Sequence, residues 1–124
     1  MSKAVLDRIF SEYIRRRDAD ENGYIKCISC GHIVRWENSD AGHYYNRSIN
    51  SLRYDEKNVN AQCRHCNRFL EGNIQGYRKG LIKKYGSDAV KMLDIKRFNI
   101  CKLGIFEIEI LKKEYKEKLK QIKG

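Results

Sequence analysis

The sequence predicts an α+β fold in which a small core of short strands sits between helical flanks. Three observations predict it. Residues 3–17 and the chain beyond residue 73 repeat apolar side chains at helical spacing. Residues 24–66 break instead into short apolar pieces separated by Gly, Asn, Ser and Asp. Two Cys-x-x-Cys pairs, Cys27 with Cys30 and Cys63 with Cys66, bracket that broken region. A chain of 124 residues suits one domain over 1–124, with an N-terminal helix at 1–17, a cysteine-bounded core at 24–73 and a basic helical part at 74–124.

Taken in order, Val5, Leu6, Ile9, Phe10, Tyr13 and Ile14 fall near a period of 3.6, and Ser2 is placed to cap the helix they form. Asp18-Ala-Asp-Glu-Asn-Gly23 ends it with turn chemistry; the run is only loosely like a calcium loop and lacks the bidentate Glu such a loop needs. Tyr24–Lys26 and Ile33–Trp36 read as two short strands around the first cysteine turn. Residues 41–46 allow a third strand, and 47–62 read as loop. From about residue 67 the spacing is helical again, through Ile74, Tyr77, Leu81, Ile82 and Tyr85 to a stop at Gly86. Ser87 caps a further helix to about Arg97. Ile108, Leu111, Tyr115, Leu119 and Ile122 predict a helix over 105–122, although alternation in Phe106–Ile110 leaves a strand open at its start. That stripe could pair with a second copy as a homodimer or fold back on the N-terminal helix; a short stripe favours the second.

The two cysteine pairs stand 32 residues apart. Each two-residue knuckle presents both sulfurs to one ion, so the four predict one structural zinc with no open coordination position. A metal staple suits a small domain with only 41 % apolar residues. Cys101 has no partner and is expected as a core thiol. His32 and His65 are expected on the knuckle surfaces, since four sulfurs already complete the site.

Lys and Arg total 26 against 16 Asp and Glu, a net charge of +10, which favours a polyanionic partner. Residues 74–103 hold +6 of it, in Arg78, Lys79, Lys83, Lys84, Lys91, Lys96, Arg97 and Lys102 with only two acids. These residues are expected to contact phosphates, although a merely solvated helix face would look the same. No apolar run approaches 18 residues, and the charged start lacks a signal-peptide core. The expectation is a cytoplasmic protein with no membrane partner and no small-molecule cofactor.

Between and after the knuckles lie Asp40-Ala-Gly-His43-Tyr-Tyr-Asn-Arg47, Arg53, Asn58-Val-Asn60 and Cys63-Arg-His-Cys66-Asn67-Arg68. A His, an Asn five positions before Cys-x-x-Cys, and an Asn directly after it resemble the HNH nuclease motif in its His-Asn-Asn form, carried on a ββα-metal finger. The longer run Asp-Ala-Asp-Glu-Asn-Gly-Tyr-x-Lys-Cys-Ile-Ser-Cys-Gly, with Ala-Gly-His, Asn-Ala-Gln-Cys-Arg-His-Cys-Asn-Arg-Phe and Gly-Tyr-Arg-x-Gly-Leu-Ile-x-Lys-Tyr-Gly, falls within residues 18–86. It is similar to the NinG (Rap) recombination proteins of lambdoid phages. That resemblance implies a phage- or prophage-encoded endonuclease, working in the host cell on branched DNA such as strand-invasion loops and four-way (Holliday) junctions.

The HNH resemblance also implies roles. His43 takes the proton from water, Asn58 holds the loop that carries His43, and Asn67 binds a catalytic Mg²⁺ or Mn²⁺ through its side-chain oxygen. Arg47, Arg53 and Arg68 would hold phosphate. Many such sites place a second metal ligand immediately before the base, where this chain has Gly42. Asp40 is the candidate substitute, although on a strand it would face away from His43 unless Gly42 kinks the chain; Asp55 is a weaker one. Asn60 competes with Asn58 for the middle role, and spacing prefers Asn58. Two other readings stand beside this one. A zinc-ribbon module could bind nucleic acid without catalysis, with His43 as a structural residue and the asparagines as turn and cap residues. A homing or restriction HNH enzyme would need a separate reader of base edges, and the chain shows no such module.

Overall fold

The computed structural model describes the backbone of residues 2–124 and the side chains of residues 3–124. The cap assigned to Ser2 lies outside the described side chains. Helix α1 (Ser2–Asp18) comes first, then strands β1 (Tyr24–Lys26) and β2 (Ile33–Arg35), a 3-10 turn, and β3 (Ser39–His43). A short helix α2 (Asn50–Arg53) precedes β4 (Val59–Cys63) and a π-helical turn at His65–Phe69. Helices α3 (Ile74–Tyr85), α4 (Ser87–Lys96) and α5 (Ile105–Lys123) complete the order.

The strands form two separate antiparallel hairpins. In one, Tyr24 faces Arg35 and Lys26 faces Ile33 around the first knuckle. In the other, Ser39 faces Cys63 and His43 faces Val59, so Gly42 sits in regular register opposite Asn60 with no kink. The outer edge of β4 meets the first knuckle, where the Ile28 N–H donates to the Ala61 carbonyl at 3.2 Å. Two apolar clusters flank this frame. Leu6, Phe10, Tyr13 and Ile14 of α1 pack with Val59, Ile108 and Tyr115. Tyr44, Leu52, Tyr77, Leu81, Val90 and Leu93 form the other, beneath α3 and α4. The final helix thus folds back on α1, as its short stripe favours.

Three local expectations are corrected. Residues 47–62 are not loop: they hold α2 and the first four of the five residues of β4. All five β4 residues are buried, including Asn60 and Gln62. Their amides are satisfied internally, Asn60 on the Lys57 carbonyl (3.0 Å) and Gln62 on Ser29 Oγ (2.8 Å) and the Gly72 carbonyl (2.6 Å). A reading based on apolar runs cannot see such a strand. The segment after the second knuckle does not continue as one α-helix; Glu71, Gly72 and Asn73 take positive φ (50°, 87° and 41°) and turn the chain before α3. Cys101 is half-buried in the connection between α4 and α5, where no regular element forms, and is not a core thiol. The start of α5 is helical, with Glu107 Oε1 accepting the Gly104 N–H at 3.0 Å. Asp20 closes the 18–23 turn by accepting the N–H groups of Asn22 and Tyr24, both at 2.9 Å.

Candidate functional site

His43 ends β3, and Asn58 fixes the backbone just beyond it. Asn58 is fully buried. Its Nδ2 donates to the carbonyls of Tyr45 (3.0 Å) and Leu52 (3.1 Å), and its Oδ1 accepts the Tyr45 N–H at 2.9 Å. Its carbonyl accepts the Tyr44 N–H at 2.9 Å. One side chain therefore ties the exit of β3 to the end of α2. Asn60 faces elsewhere: its Oδ1 accepts from Lys84 (2.7 Å) and Arg17 (3.2 Å).

His43 Nε2 lies 3.0 Å from the Arg53 carbonyl. A carbonyl only accepts, so Nε2 carries the proton and Nδ1 keeps its lone pair. Burial holds the imidazole below its usual range, helped by the Arg53 and Arg47 cations and opposed by the Arg53 carbonyl and the Asp7 carboxylate. The ring is neutral at pH 7, the form that takes a proton.

A cavity of about 560 Å³ opens beside it, lined among others by Asp7, His43, Tyr44, Arg47, Asn67 and Glu71. The structure thus brings His43, Arg47 and Asn67 to one space. Asn67 Nδ2 donates to Asp40 at 2.9 Å, and its Oδ1 takes no hydrogen bond among the described residues, which leaves a hard oxygen for a divalent ion. Asp40 lies behind Asn67, held by Arg68 through two 2.9 Å bonds, with Arg64 at 3.7 Å. Arg68 and Asn67 overcome the effect of burial and keep this carboxyl below the ordinary carboxylate range. Asp55 pairs with Lys96 at 2.6 Å and does not line the cavity.

The expected phosphate-binding residues divide in two. Arg47 is exposed on the cavity wall and makes no ion pair among the described residues. Arg53 is half-buried and pairs with Asp7, which Tyr54 also contacts, so its guanidinium braces α2 against α1. Arg68 is held by Asp40. Arg78 joins α3 to α4 through Asp94 (3.0 Å) and to the exit of β3 through Tyr44 Oη (2.8 Å). Lys84 pairs with Asp18 at 2.9 Å. Lys79 and Lys83 are exposed and unpaired among the described residues. The sequence reading missed Asp7, Glu71 and Lys26. An acid on an amphipathic helix carries no signal of its own, and only the Gly-Asn step after Glu71 hints at the turn that aims it.

Cys27, Cys30, Cys63 and Cys66 converge with their sulfurs all within 4.8 Å of one another. Cys30 and Cys63 sulfurs are 3.8 Å apart, too far for a disulfide bond of ~2.05 Å. Bonds of ~2.3 Å to one tetrahedral zinc place sulfurs at about that separation. The four side chains fit such an ion, and His32 and His65 stand exposed outside the cluster. Among the described residues, no helix is long and apolar enough to cross a membrane.

Comparison with known proteins adds the family. The sequence model described as Bacteriophage Lambda NinG protein matches residues 3–124. Protein ninG of Escherichia phage lambda is 37 % identical over 115 residues, covering 90 % of this chain and 52 % of that protein. Protein ninG of Salmonella phage P22 is 38 % identical over 116 residues, covering 90 % and 52 %. Protein ninG of Escherichia phage 933W is 36 % identical over 115 residues, covering 90 % and 53 %. The chain spans about half the length of these curated relatives. No solved structure matches significantly. With the family model spanning nearly every residue, this chain belongs to the NinG family of lambda-like phage proteins.

Proposed function

We propose that this chain is a metal-dependent DNA endonuclease of the HNH type that nicks branched recombination intermediates, such as strand-invasion loops and four-way junctions. One observation carries the reading: a neutral His43 with an uncommitted Nδ1 shares a cavity with Asn67 and an unpaired Arg47. Nδ1 takes a proton from water, the water oxygen attacks phosphorus, the P–O bond to the leaving strand breaks, and the leaving oxygen takes a proton from a second, solvent water while His43 returns its own to solvent. Asn58 keeps the imidazole aimed by fixing the Tyr44–Tyr45 backbone. Arg47 holds a phosphate oxygen. Asn67 would hold Mg²⁺ or Mn²⁺ through its amide oxygen, and the ion would offset charge developing on the phosphate. A zinc held by Cys27, Cys30, Cys63 and Cys66 would fix the second knuckle, and with it Asn67, against the first.

A second reading, a zinc-stapled module that binds nucleic acid without cutting it, is favoured by the pairing of Asp40 with Arg68 and Arg64, which occupies the nearest carboxylate to Asn67. Nicking of matched linear, flap, loop and four-way substrates with Mg²⁺ or Mn²⁺ separates the two. The endonuclease reading expects cutting of the branched forms, and His43→Ala to lower the rate on the order of 10²–10⁴-fold with zinc content and DNA binding retained. Asn67→Ala is expected to be partly rescued by excess Mn²⁺. Cutting by His43→Ala at the parent's rate overturns the assignment.

A further inference from the structure

We propose that a second cavity, on the outer edge of β4, binds nucleic-acid phosphates and holds a stretch of backbone separate from the one at His43. This rests on the nucleic-acid reading above. The hairpin of β3 and β4 has only two strands, so each strand has one outer edge. Ala41 and His43 of β3 line the first cavity, and Asn60 and Ala61 of β4 line the second. No residue lines both.

The second cavity measures about 590 Å³ and is far more basic than the first. Lys26, Lys79, Lys83, Lys84 and Arg17 stand around it with one carboxylate, Asp18, for a net of +4. Asp18 is spent on Arg17 and Lys84, at 2.9 Å each. Lys26, Lys79 and Lys83 make no ion pair among the described residues, so their charge is available to a ligand. The backbone explains how lysines from two elements, β1 and α3, meet. Gly76 and Gly80 lay α3 directly on the first knuckle; a Cβ at Gly80 would lie 1.8 Å from the Ile28 carbonyl oxygen, and one at Gly76 2.3 Å from that of Ser29. Lys79 and Lys83 flank those glycines on the same helix and reach the groove across from Lys26. They lie one turn apart, about 6 Å, so the two ammonium groups can reach neighbouring phosphates of one strand. At about 590 Å³ the cavity has more room than one phosphate group requires, which suits a longer stretch of backbone.

The test counts DNA segments per chain. Labelled duplexes of 12 base pairs are titrated into the intact protein, and into Lys26→Ala/Lys79→Ala/Lys83→Ala. A charge-matched control, Lys113→Ala/Lys116→Ala/Lys120→Ala, alters exposed α5 lysines that line neither cavity. The parent and the control should bind two duplexes per chain. The cavity variant should bind one duplex as the parent does and the second only weakly, with a log–log salt slope for that weaker event lower by about two to three units, roughly 0.9 per lost phosphate contact. If the parent binds DNA and the cavity variant matches it in stoichiometry and slope, the second site is wrong while the nucleic-acid reading stands. A control that loses as much as the cavity variant assigns the effect to net charge and overturns the site equally. A parent that binds no DNA removes both readings together.

Discussion

Gly42 shows how tightly the hairpin constrains the residue before His43. A Cβ there would lie 2.0 Å from Gln62 Oε1 and 3.1 Å from Gln62 Cβ. Gln62 cannot swing aside easily, because Ser29 and Gly72 hold its amide. Gly42→Ala should therefore cost about 1–3 kcal/mol of stability through overpacking, read as a lower urea midpoint with unchanged slope. The same contact accounts for the absence of a metal-ligating side chain at this position. A second residue-scale expectation concerns pH. The folded pKa of His43 lies below the ordinary 6.5. The ring stays deprotonated as pH falls through that value, so the acid limb of the nicking rate should sit below pH 6.5 and disappear from the residual activity of His43→Ala. Stability has the same sign: the ring's contribution is full above 6.5 and is lost as pH falls through the lower folded value. At this scale much of the candidate site's arrangement was legible. The order His43, Asn58, Cys63, Cys66, Asn67 located residues that the fold does gather around one hairpin. Asp40 was legible only as a candidate, because its pairing with Arg68 depends on a π-helical turn that leaves no mark on local spacing.

At the scale of elements, the long helices were legible from period, and the cysteine turns from their spacing. Strand β4 was not, because its alternate residues Asn60 and Gln62 are polar and buried, and their partners come from distant segments. Helix α2 was hidden by its length of four residues. The docking of α5 rests on a feature no period shows. Glu56, just before β4, accepts Tyr13 Oη (3.0 Å) from α1 and Tyr115 Oη (2.9 Å) and Lys118 Nζ (2.9 Å) from α5. Burial alone would raise its pKa, but Lys118 and the two tyrosines win and hold it below the ordinary carboxylate range. Glu56→Gln should lower the melting temperature by several degrees at pH 7, for a loss on the order of 1–2 kcal/mol. The carboxylate's contribution is present above its unfolded pKa near 4.5 and is lost as pH falls through the lower folded value. The gap between parent and variant should therefore close in melts run toward pH 3.

For the whole molecule, a zinc held by Cys27, Cys30, Cys63 and Cys66 would join segments far apart in the sequence. The first knuckle carries β1, β2 and the seat of α3; the second carries Asn67 and the end of β4. Structural zinc in small fingers contributes ~10–16 kcal/mol, as large as the ~5–15 kcal/mol net stability of a typical domain. Elemental analysis should find about one zinc per chain after a mild chelator wash, and Cys63→Ser should lose both the metal and cooperative melting. Folded, metal-free parent protein would contradict this. The pairing of α1 with α5 has a consequence in time. The 86 residues 19–104 lie between the two helices. At ~5–20 residues per second, a ribosome takes roughly 4–17 s to pass from one to the other. Throughout that interval Leu6, Phe10 and Ile14 lack the α5 side chains that later cover them. The nascent chain thus spends seconds as a basic particle with an open apolar groove, and a chaperone that recognises such grooves has its opportunity before α5 is made.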